Sequence, residues 1–335
     1  MRIIFNIKEL NDVLEISKSD LVFINTNAEA IANCGDMQVI KKLNASVEEK
    51  GSTLISKNII NMLPKVGECI VTENSIECEK RSIKFKTTDI EIKELKVDEP
   101  VLTVISQETL NFLLEVDYAV SKNEARPILQ GVYFGNDITC ALDGDRLSIR
   151  RTSDMDINTE FVVPLEIIKA IKKVKDIDNV SISVSKDYIK FQCGNTTVIG
   201  KLIGGKYIHF ESLIQSEFKT IVKLDCKQVL DIIKSYKNVE VIKFNIESEK
   251  FSITADIIDN KLYKNNVIGT IKDEVPCELT GENLEIFFDP RYLKDALKNK
   301  ENAKFYFNNS HSPLLIKEIV KKGEKIELIL PIHMG

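Results

Sequence analysis

The sequence predicts an α+β fold: three tandem copies of one unit, each with two helices and several antiparallel strands. Three observations carry this reading. A short strand feeds an amphipathic helix near the start of each third of the chain. A second strand–helix pair follows later in each third. Strand-like runs broken by polar turns come after it.

The first pair occurs as RIIFNIKELNDVLEI from Arg2, LTVISQETLNFLLEVDYAV from Leu102 and TIVKLDCKQVLDIIKSY from Thr220. In the second copy Leu110, Leu113, Leu114 and Asp117 hold the i, i+3, i+4 and i+7 positions, with Val116 and Val120 alongside, and predict a helix from Ser106 to Lys122. In the third copy Val229, Ile232, Ile233 and Tyr236 do the same. The second pair occurs as STLISKNIINMLPKV, TEFVVPLEIIKAIKKV and LEIFFDPRYLKDALKN. Ser56 and Asp289 can cap a helix through a side-chain oxygen, and Pro164 and Pro290 suit a first turn. The following strand runs turn at Glu-Asn, Lys-Asp, Cys-Gly-Asn and Lys-Gly-Glu clusters. Joins near KVDEP and at Gln215–Lys219 divide the chain into 1–99, 100–216 and 217–335.

The composition excludes several classes. The chain has 335 residues, 43% hydrophobic and 29% charged, which is ordinary globular composition. No apolar run approaches a membrane span, and MRIIFNIKEL reads as strand into helix rather than as a signal peptide, so a cytoplasmic protein with no membrane partner is expected. Seven cysteines stand singly, none at CxxC spacing, which indicates neither a zinc site nor a redox motif; buried, neutral thiols are expected. No phosphate-binding GxxxxGKS, GxGxxG, HExxH or GxSxG is present. Three histidines are too few for a His-based metal centre, and the acidic pairs Asp143/Asp145 and Asp154/Asp156 read as solvated turns. No catalytic residue, metal or cofactor is expected.

Six segments in order over residues 102–335 carry a family resemblance: AVSKNEARPILQGVYF, ALDGDRLSIRR, LIGGKYIHFESLI, FDPRYLKDAL, SHSPLLIK and LILPIHMG. Together they resemble the bacterial DNA polymerase III beta subunit family, the beta sliding clamps. Residues 1–100 match in element order only, and this first domain is shorter than the family norm.

The resemblance implies a head-to-tail homodimer that closes into a ring, with helices lining the hole and sheets outside. Such a ring encircles duplex DNA without reading its sequence and gives a polymerase processivity, with no chemistry of its own. A first domain too short to close the ring would give instead a clamp-fold paralogue that binds partner peptides. The resemblance also implies a groove that takes short linear peptides from DNA polymerase, the clamp loader and repair proteins. Its matching positions are Arg126, Leu129, Leu142, Gly144, Asp145, Leu147, Ile208, Ser212, Leu213, Tyr292, Pro313, Leu328, Leu330, Pro331, Ile332, His333 and Met334. Of these, Leu129, Leu142, Leu147, Leu213 and Leu330 are expected to form an apolar pocket. Ile208 stands where the family carries proline, and Ser212 and His333 stand where it carries arginine, which bears on peptide preference.

Net charge is −5, so DNA contact depends on where the cations lie. Lys169, Lys172, Lys173 and Lys175 crowd the second-domain helix, and Lys227, Lys234, Arg291, Lys294 and Lys298 the third-domain helices; these are the expected DNA-facing residues. In the run SIKFKTT, Ser82–Thr88, Ile83 and Phe85 are the expected apolar contacts of the dimer interface.

Overall fold

The computed structural model describes residues 1–87, 92, 94–175, 177–247, 250–258 and 267–333. They form two compact units, Met1–Leu114 with Asp154–Gly205, and Glu115–Ser153 with Lys206–Gly335.

Among its described residues the first unit holds the α-helices α1 (Lys8–Ser17), α2 (Lys57–Asn61), α3 (Gln107–Leu113) and α4 (Leu165–Ile171). Helix α1 forms because Leu10, Val13 and Leu14 recur on one face, and that face is buried. It ends at Lys18, whose left-handed backbone (φ 57°) turns its N–H back to the Leu14 carbonyl. Helix α1 packs against α4. An eight-stranded antiparallel sheet runs in the order Thr103–Ser106, Asn179–Val184, Tyr188–Cys193, Thr196–Lys201, Met37–Lys42, Glu29–Cys34, Leu21–Ile24, Thr53–Ser56. In its middle Val198 pairs with Val39, so the predicted join before residue 100 falls inside one continuous sheet. A second sheet runs Ser46–Glu49, Arg2–Asn6, Glu68–Thr72, Ser75–Cys78, Arg81–Lys84.

Three sequence expectations about helices are corrected here. Ser56 is extended and makes no side-chain cap bond, and α2 is only five residues long. Pro164 is the residue before α4 and closes the strand Phe161–Pro164 instead of opening the helix. The helix expected from Ser106 to Lys122 is α-helical only to Leu113 and continues as a 3-10 turn through Leu114–Ala119. The tighter turn eclipses residues three apart, which carries Val116 and Ala119 inward together; both are fully buried.

The second unit holds helices α5 (Cys226–Ser235) and α6 (Pro290–Leu297), packed together. Asp225 caps α5 by accepting from the N–H groups of Lys227 and Gln228, and Asp289 caps α6 by accepting from Arg291. Eight of its strands follow the order Gly131–Gly135, Ile138–Leu142, Arg146–Arg151, Gly323–Ile329, Leu314–Val320, Asn302–Phe307, Thr220–Asp225, Cys277–Gly281. A four-stranded sheet, Val267–Val275, Lys250–Ile258, Ile242–Glu247 and Leu284–Phe288, covers the other side of the α5–α6 core. That core is aromatic: the Phe244 ring lies 4.9 Å from Phe251 and 5.4 Å from Phe288.

Gly323 turns the last hairpin at φ +143°, and a Cβ there would stand 1.8 Å from the Arg151 carbonyl oxygen. Gly323→Ala is expected to cost about 2 kcal/mol in urea denaturation, from backbone strain and steric clash together. Gly204→Ala, which meets nothing within 4 Å, is expected to leave the midpoint unchanged.

Candidate functional site

The predicted peptide-binding positions gather in the second unit around the hairpin Ile138–Leu142/Arg146–Arg151. Its turn is held by Asp143, whose Oδ1 accepts from the N–H groups of Asp145 and Arg146, each at 3.1 Å. Gly144 sits between them at φ +109°, a backbone that favours glycine although space is open beside it.

Arg146, not among the predicted residues, ties this turn to helix α6. Its Nε donates to Asp143 Oδ2 (2.9 Å), its Nη1 to Asp295 Oδ2 (2.6 Å) and its Nη2 to the Tyr118 carbonyl (2.8 Å). The guanidinium lies 4.8 Å from the Tyr292 ring centre and 5.2 Å from that of Tyr118. Burial opposes the Arg146 charge, but Asp295 and Asp143 outweigh it and raise its pKa. Tyr292 in turn donates its hydroxyl to Asp145 Oδ2 at 3.0 Å. Burial, then that hydrogen bond, push the Tyr292 phenol up to about 12.

The C-terminal segment passes beside this turn. Leu330 N–H donates to the Asp145 carbonyl (2.9 Å) and Ile332 N–H to the Phe287 carbonyl (2.8 Å). The His333 ring stacks on His311 with centroids 5.0 Å apart. Another neighbouring segment is pinned by aromatic rings: Tyr133 lies 5.1 Å from Tyr207 and 5.4 Å from Phe210. With Tyr207 and Phe210 inside, Ile208 and Leu213 face out, and Ser212 Oγ donates to the His209 carbonyl at 2.7 Å.

Exposure sorts the predicted residues. Ile208 (40%), Leu213 (43%) and Leu330 (39%) are open, Arg126, Ser212 and His333 are exposed, and Tyr292, Pro313, Pro331 and Ile332 are half-buried. The expected pocket is corrected for Leu129, Leu142 and Leu147: with Leu328 they lie in the core at 6% exposure or less. Leu142 and Leu147 sit on strands buried on both faces, and Leu129 is the buried end of the 3-10 turn Pro127–Leu129. Met334 lies outside the described residues.

Under this surface is an ionic cluster that the sequence reading missed. Glu327, fully buried, accepts from Arg150 Nη1 at 2.8 Å and from Lys300 Nζ at 2.5 Å, and the Tyr118 hydroxyl donates to it as well. Glu115 Oε2 lies 3.1 Å from both Arg150 Nε and Lys325 Nζ. Burial favours a neutral Glu327, but Lys300 and then Arg150 outweigh it and hold the carboxyl below the usual range. Burial also lowers Lys300 and raises Tyr118. Single charges inside apolar strands gave no pattern from which this cluster could be read.

The expected DNA-facing cations are spread over both units. Lys169, Lys172 and Lys175 are exposed, but α4 ends at Ile171, so Lys172, Lys173 and Lys175 follow the helix instead of lying on it. Lys172 Nζ donates to the Leu114 carbonyl at 3.4 Å, and half-buried Lys173 donates to the Glu15 carbonyl at 2.5 Å. Lys227, Lys234 and Lys298 are exposed, and Lys294 is half-buried. Arg291 is exposed and bound to Asp289 at 2.5 Å. Ile83 and Phe85 are half-buried on the edge strand Arg81–Lys84 and just after it; Thr88 lies outside the described residues. Among the described residues no group of three or more His, Cys, Asp or Glu side chains is placed to hold a metal ion, and no helix is long and apolar enough to cross a membrane.

Comparison with known proteins adds to the geometry. Family models for the DNA polymerase III beta subunit match here, its central domain over residues 104–208 and its C-terminal domain over 211–333. The beta sliding clamp of Chlamydia muridarum is 23% identical over 348 residues, covering 96% of this chain and 90% of that protein. That of Bacillus subtilis is 27% identical over 330 residues, covering 89% and 83%. Among solved structures, a putative DNA polymerase III beta subunit from Eubacterium rectale superposes with a TM-score of 0.86 at 22% identity, over the whole of both chains. The Bartonella birtlesii clamp bound to griselimycin gives 0.84 at 20%, again over the whole of both chains.

The buried cluster sets a pH dependence. Because the Glu327 carboxyl titrates below its ordinary value, its stabilisation is present above about pH 4.5 and is lost as pH falls through the depressed value. Glu327→Gln is expected to cost about 3–4 kcal/mol at pH 7 by leaving buried Lys300 without its carboxylate and Arg150 with Glu115 alone, and to flatten the acid limb of stability against pH.

Proposed function

The chain belongs to the DNA polymerase III beta subunit family, and from that membership we propose that two copies close head to tail into a ring that slides on duplex DNA and holds a polymerase to its template. The observation that carries this is the match of the family's central and C-terminal domains, in order, over residues 104–333. The protein is then a processivity factor and not an enzyme, and it works in the cytoplasm beside the DNA being copied. The ring substitutes linkage for adhesion: a threaded duplex cannot leave sideways, so weak contacts with phosphates suffice and strong base contacts would stop sliding. The strand–helix repeat supports three domains, 1–99, 100–216 and 217–335, and the two family matches, 104–208 and 211–333, meet a few residues before the second join.

We assign the ring joint to two strands that are sheet edges among the described residues, one from each copy. The edge strand Arg81–Lys84 brings Ile83 and Phe85, flanked by Arg81, Lys84 and Lys86. The edge strand Val267–Val275 brings exposed Val267 and Ile268 and the acidic Asp273 and Glu274. Apolar side chains on both edges suit such a heterologous contact, while Asp273 and Glu274 are engaged by Tyr236, Lys250 and Lys272 of their own copy. DNA is met by the exposed Lys169, Lys172, Lys175, Lys227, Lys234 and Lys298, with Lys173 bound to the Glu15 carbonyl, Arg291 to Asp289 and Lys294 half-buried.

The partner groove is assigned to Ile208, Leu213 and Leu330, with half-buried Tyr292, Pro313, Pro331 and Ile332 as its sides and Arg126 and His333 at its rim. An apolar anchor on a peptide of the polymerase, clamp loader or a repair protein has three open aliphatic side chains to cover there.

Light scattering is expected to give twice the chain mass of 38.0 kDa. The loaded protein should stay on circular plasmid and run off after linearisation; a monomer, or equal retention on both, points to the open paralogue instead. Leu330→Asp or Leu213→Asp should weaken a fluorescent polymerase-tail peptide about tenfold or more without changing native mass. Leu147→Asp, buried at 2% exposure, should unfold the chain instead.

A further inference from the structure

Cys69 and Cys78 are both free thiols and both buried. They are far from CxxC spacing, but the hairpin Glu68–Thr72/Ser75–Cys78 makes them register partners. Partners in an antiparallel ladder alternate between hydrogen-bonded pairs and closer, non-hydrogen-bonded pairs. Two backbone bonds decide which kind this is. Ile7 N–H donates to the Gly67 carbonyl at 2.9 Å, so Gly67, and Cys69 two residues on, turn their peptide groups toward Arg2–Asn6. Phe85 N–H donates to the Asn74 carbonyl at 2.8 Å, so Asn74, Ile76 and Cys78 turn theirs toward Arg81–Lys84. Neither cysteine aims its backbone at the other. They are therefore a non-hydrogen-bonded pair, with Cα atoms about 4.5 Å apart and side chains on one face. A disulfide spans Cα separations of about 4.4–6.8 Å.

We propose that Cys69 and Cys78 form a reversible disulfide with a small-molecule disulfide such as oxidised glutathione, and that the bridge acts on the neighbouring edge strand Arg81–Lys84. One cysteine thiolate attacks a sulfur of the glutathione disulfide and expels one glutathione thiolate. The other cysteine, as thiolate, then attacks the mixed disulfide and expels the second. Two protein thiols and one glutathione disulfide give one protein disulfide and two glutathione thiols, with no other oxidant needed. Burial pushes the Cys69 thiol up to about 12, with Cys78 the next cause, and burial also raises Cys78. Exchange therefore passes through opening of the edge and is slow. The cross-strand Cβ separation, about 4.5–5.5 Å, sits at the long end of what a disulfide spans, so bridging draws the strands together and the bond stays reducible. Cys78 is the register partner of Arg81, and Ile76 that of Ile83, so the strain reaches the strand that carries the ring joint. This last step rests on the joint proposed above.

The full chain is incubated with oxidised glutathione, alkylated and weighed intact. Two fewer alkyl groups than in the reduced control, Cys69 and Cys78 peptides linked in a non-reducing digest, and return of both alkylation sites with dithiothreitol are expected. Cys69→Ala and Cys78→Ala should each abolish the link. No bridge in the folded protein under conditions that oxidise the urea-unfolded chain overturns the site. Oxidation should also shift the dimer dissociation constant about fivefold by light scattering. A bridge that leaves this constant unchanged overturns the action on the edge, whereas a chain that is monomeric in both states refutes the ring and leaves the mass result to stand alone.

Discussion

The second unit is organised around a carboxylate held between two cations. Glu327 has no access to solvent, and isolating such a charge costs several kcal/mol. Arg150 and Lys300 offset that cost at 2.8 Å and 2.5 Å, and the Tyr118 hydroxyl fills a remaining acceptor position. None of the partners is local. Glu327 is on the last strand, Arg150 on a strand placed opposite it, and Lys300 just beyond α6. The cluster is satisfied in one register of Arg146–Arg151 against Gly323–Ile329, the one in which Ser148 faces Glu327. A slip by one residue would bury unpaired charges, so the ionic cluster selects the strand pairing more than it adds to stability.

That selection governs the surface above it. With the register fixed, Leu147 meets Leu328 inside, and the same ladder brings Leu330 past the Asp143–Asp145 turn. Arg146, one position earlier, is then free to reach Asp295 and the Tyr292 and Tyr118 rings. Tyr292 is locked by Asp145, so the hairpin also fixes the α6 side of the proposed groove. The exposed aliphatic side chains are thus held on a pre-paired base, which would lower the ordering cost of binding at the proposed groove.

Much of this was readable in advance where the information is local. The apolar faces of α1 and α5 follow from Leu10, Val13 and Leu14, and from Val229 and Ile233, and Asp289 caps α6 as its chemistry predicts. The DG turn at Asp143-Gly144 is where a two-strand pattern needs one. What could not be read depends on pairing between distant strands. Nothing near Leu129, Leu142 or Leu147 says that they are buried while Leu213 and Leu330 are open, since the strands and turns packed over them come from distant parts of the chain. The same holds for Arg146 and Glu327, whose partners are far away in sequence, and for Cys69 and Cys78, which a hairpin and not a motif brings together.

The shared sheet of the first unit has a bearing on how the chain is made. Met37–Lys42 is an interior strand in the finished protein, because Thr196–Lys201 closes against it. On the ribosome that neighbour is synthesised some 150 residues later, so the emerging N-terminal piece carries an open ladder with Val39 and Ile40 for as long as translation takes to reach residue 201. During that interval the nascent chain offers a template for wrong pairing.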